Sequence, residues 1–481
     1  MNLRNYVNGA FVNHSNDKWM DVIEPATGKT FARVPLSSTD DVNHAVSAAK
    51  NAQPSWGALS HLERADWLDK IADALESRYE EIAALESRDT GKPISLARAV
   101  DAYRSVANFR FFSGFIRETH GGQRERFEME DSTNIVVPKA VGVGVLITPW
   151  NLPLYLLSWK VAPAIGMGNT VVCKPSELTP MTADLLMDTI HKVGLPAGVV
   201  NLVHGDGAGA GGPLTAHPDV DLVSFTGGTD TGAKVAAAAS PMFKKLSLEL
   251  GGKNASIVFD DCDMERTVEG VTRAAFLNQG QVCLCGSRIL VQSGIYDDFI
   301  DAFVNSVESM KIGDPTDEET QLGALISAEH LVKVEGYVAL AKEEGGNVLT
   351  GGYPCIPKEF ENGNWLAPTV ISELSPDSRC STEEIFGPVV TIHRFETEEE
   401  AVAITNNTRY GLAGSVWTRD LEKGQRVAEN IDTGMVWVNT WLHRDLRAPF
   451  GGVKDSGVGR EGGRWSLGFF SEAMNICVKH D

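Results

Sequence analysis

The stretch Phe276-Leu277-Asn278-Gln279-Gly280-Gln281-Val282-Cys283 sets one thiol in a polar, glycine-containing segment rather than in an apolar run. A nucleophilic thiolate needs partial exposure and nearby donors, whereas most cysteines are inert and buried. Cys262, Cys355, Cys380 and Cys477 read as the inert kind, and Cys285 is a rival two positions on. Glu249 stands between apolar neighbours in Leu248-Glu249-Leu250-Gly251-Gly252-Lys253. A carboxyl in an apolar setting titrates high and can act as a base near neutrality; the plainer reading is a partly solvated strand-end Glu. Asn151 lies in Thr148-Pro149-Trp150-Asn151-Leu152-Pro153, where flanking prolines fix the backbone and so aim its amide. An aimed amide donor suits an oxyanion; the alternative is a Pro-rich turn with Asn as a cap. A thiol, a base and an oxyanion donor together would perform covalent acyl chemistry.

These groups must be positioned by regular elements. Short strands are expected over 6–12 and 31–34. A long helical pattern follows over 39–90, with Ile71, Leu75, Ile82 and Leu85 at helical spacing, and a second helix over 94–118. From Val141 the pattern changes. Val-rich apolar runs at 141–148, 170–173, 199–203 and 221–225 alternate with helices such as 182–193, the pattern of a parallel sheet covered on both faces. A second alternating region begins near Asn254, with strands at 255–259, 287–292, 389–394 and 434–438 and a helix at 296–310. Two successive α/β units leave a cleft, and sheets of this kind bind ligands beyond the C-terminal ends of their strands.

A literal G-x-G-x-x-G occurs at Gly207, Gly209 and Gly212, but no acidic residue ends a following strand at the expected distance and Pro213 interrupts it. It reads as a plain glycine loop. A better cofactor signal spans two strand ends. Lys174 and Glu177 in Cys173-Lys174-Pro175-Ser176-Glu177 offer partners for ribose hydroxyls. Phe225-Thr226-Gly227-Gly228-Thr229-Asp230-Thr231-Gly232 opens onto a helix, where bare amides suit a pyrophosphate.

Composition bounds the rest. A chain of 481 residues exceeds what one core usually holds, and 43% hydrophobic with 22% charged residues describes an ordinary globular protein. A net charge of −21 argues against nucleic-acid or anionic-membrane partners. Seven cysteines, with no C-x-x-C pair, fit a reducing compartment and argue against a structural metal. Residues 1–20 hold no apolar run, so a cytoplasmic location is expected.

Taken together, these stretches resemble the aldehyde dehydrogenase superfamily, and Glu383-Glu384-Ile385-Phe386-Gly387-Pro388 and Pro449-Phe450-Gly451-Gly452 extend the resemblance nearly end to end. The resemblance implies an α/β fold with a Rossmann-like cofactor domain (1–122 and 142–250), an α/β catalytic domain (251–445) and a small β oligomerisation arm (123–141 and 469–481). It implies Cys283 as nucleophile, Glu249 as general base, and Asn151 with the Cys283 backbone N–H as oxyanion donors. NAD would meet Ile147, Trp150, Gly227 and Gly232, with Lys174 and Glu177 at the adenosine ribose, Glu384 at the nicotinamide ribose and Phe386 beside the nicotinamide. Many members carry Ser where Gly228 stands, so no hydroxyl faces the phosphate from that position. A homodimer or homotetramer is also implied.

Asn108-Phe109-Arg110-Phe111-Phe112 and Trp441-Leu442-His443-Arg444-Asp445-Leu446-Arg447 narrow the resemblance to the 2-aminomuconate and 2-hydroxymuconate semialdehyde dehydrogenases, whose substrates carry a carboxylate remote from the aldehyde. Arg110 and Arg444 are the expected carboxylate ligands, a guanidinium being a planar fork for that group; the alternative is pairing with internal acids such as Asp101 or Asp445. Glu177 would favour NAD over NADP by repelling a 2′-phosphate. Rival readings are another substrate, such as betaine aldehyde or succinic semialdehyde, and a non-catalytic member of the same family.

Overall fold

The computed structural model describes residues 1–122 and 125–480. Gln123 and Arg124, at the start of the expected arm, and Asp481 at its end lie outside the described residues.

The first sheet has eight strands in the order Ala10–Val12, Asn5–Val7, Val200–Leu202, Thr170–Lys174, Val143–Ile147, Leu222–Thr226, Lys245–Glu249 and Gly457–Val458. Its five central strands pair in parallel, and antiparallel strands close both edges. The central strands are largely buried because helices cover both faces. The helix Pro153–Gly166 has every residue buried and packs against Tyr103–Glu118. The Gly207 stretch forms a short π-helical turn in which the Asp206 carboxylate accepts from the Gly209 amide.

The second sheet has seven strands in the order Asn347–Thr350, Thr369–Ser372, Val389–Phe395, Arg288–Gln292, Ala255–Val258, Ala413–Trp417 and Met435–Val438. All pair in parallel except the first. A third sheet joins Ser471–Lys479, Ser132–Ala140 and Glu125–Glu128 antiparallel, with Phe127, Ile476 and Val478 exposed.

Two local expectations are corrected. The segment 39–90 is three helices, Thr39–Gly57, His61–Glu76 and Tyr79–Thr90. The break before His61 is made by a capping box, in which Ser60 accepts from the Glu63 amide and Glu63 accepts from the Ser60 amide. The strand expected over 6–12 is a hairpin turned at Asn8-Gly9, both at positive φ.

Candidate active site

Cys283 is presented by an unusual turn. The helix Met264–Phe276 ends in Leu277–Gly280, where Asn278, Gln279 and Gly280 have φ of 54°, 58° and 69°. Side chains of the turn hold this strained path: Asn278 Nδ2 donates to the Asn151 and Gln281 carbonyls, each at 3.2 Å, and Gln279 Nε2 donates to the Ala324 carbonyl at 2.9 Å. The rival Cys285 is buried in the core with its thiol on the Leu277 carbonyl, whereas Cys283 is half-buried and lines a cavity.

That cavity, of about 220 Å³, is lined by strand ends and loops of both large sheets, including Trp150, Asn151, Gly227, Cys283, Glu384 and Phe386. Asn151 follows the strand Val143–Ile147, and its Nδ2 donates to the Gln281 carbonyl at 2.9 Å. The amide has a second N–H, which leaves one donor for an oxygen beside Cys283. Glu384 is held under Gly251-Gly252, accepting from the Gly252 amide at 2.9 Å; a Cβ at Gly251 would lie 2.3 Å from its carboxylate. The Phe386 ring meets the Trp150 ring edge-on at 5.3 Å.

Glu249 ends its strand buried, and neither carboxyl oxygen has a hydrogen-bond partner among the described residues. Burial first, and then the nearby Glu461 charge, push its carboxyl well above the ordinary carboxylate range. Glu461 is itself held by Lys160 at 2.6 Å, and Lys160 also donates to Ser224 Oγ at 2.8 Å. Burial raises the Cys283 thiol as well, and the Glu384 and Glu249 charges act in the same direction, while Arg444 opposes them. The thiol is therefore protonated at rest, and a base must take its proton before it attacks.

A dinucleotide fits the first sheet's C-terminal edge. The helix Thr229–Ala239 starts at an extended Gly228 with no side-chain cap, which leaves its first amides bare, and a Cβ at Gly228 would meet nothing within 4 Å. Gly232 packs on Leu250, and Thr226 Oγ1 is buried without a partner. Lys174 and Glu177 pair at 2.8 Å at the next strand end, and Ile147 ends the strand between.

Both expected arginines line one cavity together with Arg104, but they are partnered differently. Arg444 donates to the Tyr155 hydroxyl at 2.8 Å, with its guanidinium 4.5 Å from the Trp159 ring centre and 4.0 Å from that of Phe450. Arg110 instead is exposed and paired with Asp73 at 2.5 Å and Glu76 at 2.8 Å, the alternative weighed for it, though with different acids. The residue missed by sequence reasoning is Arg104, which approaches the same Tyr155 hydroxyl at 3.5 Å. Among the described residues neither Arg104 nor Arg444 has an acidic partner, and each keeps a buried nitrogen without a hydrogen bond. Burial alone would raise the Tyr155 phenol; the two guanidiniums outweigh it and lower it.

A thiol, a buried carboxyl and an aimed amide thus meet at the edge of a dinucleotide-type sheet. The chain belongs to the aldehyde dehydrogenase family, whose model matches residues 11–476, and it is an oxidoreductase acting on an aldehyde group. It is 47% identical to a 2-aminomuconic semialdehyde dehydrogenase of Danio rerio, over 99% of this chain and 98% of that one. It is 44% identical to a 2-hydroxymuconic semialdehyde dehydrogenase of Pseudomonas sp. (strain CF600), over 99% of each. A betaine aldehyde dehydrogenase of Staphylococcus aureus, solved in complex with NAD+, superposes with a TM-score of 0.96 at 38% identity, over 99% of this chain and 95% of that one.

Proposed function

We propose that this enzyme oxidises a semialdehyde bearing a carboxylate at its far end, of the 2-aminomuconic or 2-hydroxymuconic class, to the diacid, with NAD as acceptor. The observation that carries the substrate class is the pair Arg104 and Arg444, two guanidiniums on one phenol with no acidic partner among the described residues. An anionic group of the substrate would satisfy their free N–H donors, each charge-assisted bond contributing about 1.5–3 kcal/mol. The names of the two muconic semialdehyde dehydrogenase relatives agree with this reading. A quaternary ammonium substrate would need open aromatic faces, but the Arg444 guanidinium already lies over Trp159 and Phe450.

The chemistry follows from the residues. Cys283 Sγ, having lost its proton to solvent water, bonds to the aldehyde carbon, and the carbonyl oxygen becomes an oxyanion. Asn151 Nδ2 and the Cys283 amide donate to it, about 3–4 kcal/mol being typical of one such donor. A nicotinamide held by Glu384 and Phe386 would supply the hydride acceptor, and loss of hydride from that carbon would leave a thioester on Cys283. Glu249 takes a proton from water, whose oxygen bonds to the thioester carbon as the C–S bond breaks. The products are the acid and the free thiol.

Lys174 and Glu177 would hold the adenosine ribose, Glu384 the nicotinamide ribose, and Gly227, Gly228 and the bare amides after them the pyrophosphate; Ile147, Trp150, Gly232 and Phe386 would shape the walls. The Glu177 carboxylate favours a 2′-hydroxyl over a 2′-phosphate, hence NAD over NADP. The cofactor domain would span 1–122 and 142–250, the catalytic domain 251–445, and the arm 123–141 and 469–481. The third sheet, with its exposed Phe127, Ile476 and Val478, would bridge subunits of a dimer or tetramer. Seven free cysteines suit the reducing cytoplasm, and among the described residues no helix is long and apolar enough to cross a membrane. The test is a substrate panel with purified enzyme: kcat/KM for the muconic semialdehydes should exceed that for betaine aldehyde and for neutral aldehydes of similar length. Equal values would overturn the substrate assignment.

A further inference from the structure

Lys92 is fully buried, immediately after the left-handed Gly91 that ends the helix Tyr79–Thr90. Its ammonium makes two hydrogen bonds: one to Asp101 Oδ2 at 2.9 Å, and one to the main-chain carbonyl of Asn151, also at 2.9 Å. Glu86, 4.0 Å from the same ammonium, accepts from the Leu154 amide at 2.9 Å and from Thr182 Oγ1 at 2.7 Å. One sealed ionic cluster therefore grips the loop on both sides of Pro153, at the carbonyl of residue 151 and the amide of residue 154.

Stability does not account for this arrangement. Taking an ammonium and carboxylates out of water costs several kcal/mol per ion, and well-packed apolar residues often do as well or better. The cluster's reach to the Asn151 carbonyl gives it a use. That carbonyl has one other donor, the Asn278 amide at 3.2 Å, and a charged donor holds an acceptor more firmly than a neutral one. Asn151 lies between the strand end at Ile147 and the helix start at Pro153; the flanking prolines limit the backbone dihedrals around it, and the Lys92 ammonium adds a charged hydrogen bond at its carbonyl.

We propose that Lys92 is a positioning residue: its buried ammonium anchors the Asn151 main chain so that the side-chain amide stays aimed at the oxygen of the group on Cys283. This rests on the reading of Asn151 as the oxyanion donor. Misplacing a reacting or stabilising group by about an ångström costs on the order of a hundredfold in rate.

The test is a double-mutant cycle on the full-length enzyme. Lys92→Met should lower kcat about tenfold to a hundredfold while KM for NAD stays within about twofold. Because Lys92→Met leaves Asp101 unpaired and can unfold the chain, Lys92→Met/Asp101→Leu is measured beside it. That variant buries no unpaired charge at this pair and should recover the melting temperature but not kcat. In an Asn151→Ala background, adding Lys92→Met should change kcat less than about twofold, since the group it aims is gone. If kcat returned with stability in the apolar double variant, or if Lys92→Met acted fully in the Asn151→Ala background, the anchor would be refuted while Asn151 kept its role. A wild-type kcat in Asn151→Ala alone would sink the donor reading itself, and this proposal with it.

Discussion

Asn151 donates its side-chain amide to the Gln281 main-chain carbonyl at 2.9 Å, two residues before Cys283. The bond ties a strand end of the first sheet to the turn that presents the nucleophile from the second. It also fixes the amide plane, so the remaining N–H has a set direction. Asn151→Ala removes that donor. Formation of the thioester, followed as hydride transfer in a single turnover, should slow about 100- to 1,000-fold, the range found when one oxyanion donor is deleted. A single-turnover rate equal to that of the wild type would show that the amide is structural.

The three arginines make a sharper comparison. Arg104→Ala or Arg444→Ala should raise KM for a carboxylate-bearing semialdehyde about 10- to 100-fold and leave KM for a neutral aldehyde within about threefold, since one charge-assisted contact contributes about 1.5–3 kcal/mol. Arg110→Ala should leave both nearly unchanged, because Arg110 is already neutralised by Asp73 and Glu76. Steady-state kinetics on paired substrates decides the matter; an Arg110 effect as large as that of Arg104 would return the carboxylate site to the outer helix face.

This comparison also marks where the sequence could be read and where it could not. Strand ends carry their chemistry in short contiguous motifs, so Asn151, Lys174 and Gly227 could be singled out from local patterns, whereas Glu384, in the loop after the short helix Arg379–Thr382, was singled out only by the family resemblance. Cys283 was legible from its polar, glycine-containing stretch. Arg104 was not, because it depends on helix rotation. Six positions at about 100° each put Arg104 roughly 240° around the helix from Arg110, and which face meets Tyr155 is decided by tertiary packing. The capping box at Ser60 and Glu63 was a readable signal of the helix break that the apolar spacing alone concealed. Lys92 carried no such signal: its contacts are with Asp101 and Asn151, and nothing local in the sequence brings the Asn151 carbonyl to it.

The turn before Cys283 should be intolerant of side chains. Gly280 has φ of 69°, and a Cβ there would lie 2.1 Å from the Gly387 carbonyl oxygen. Left-handed backbone alone costs an L-residue about 1–2 kcal/mol, and the backbone collision adds to it. Gly280→Ala should lower the urea midpoint and reduce kcat, because the turn must shift and Cys283 moves with it. If Gly280→Ala matched the wild type in both, the turn would be more adaptable than its packing indicates.

Glu249 gives the pH dependence. Its carboxyl is raised, first by burial and then by Glu461, so it is protonated over a pH range in which an exposed glutamate is ionised. A protonated carboxyl cannot take a proton from water. Thioester hydrolysis should therefore fall as pH drops through that raised value, well above the usual 4.5. Hydride transfer precedes that step, so a first-turnover burst should persist where steady-state turnover has declined. Glu249→Gln should keep a burst of one reduced nicotinamide per site and lose about 100- to 10,000-fold in steady-state rate, the usual contribution of a general base. The acidic limb should vanish with it. Rapid-mixing absorbance of reduced nicotinamide against pH measures both, and an unchanged acidic limb in Glu249→Gln would assign the proton transfer to another group.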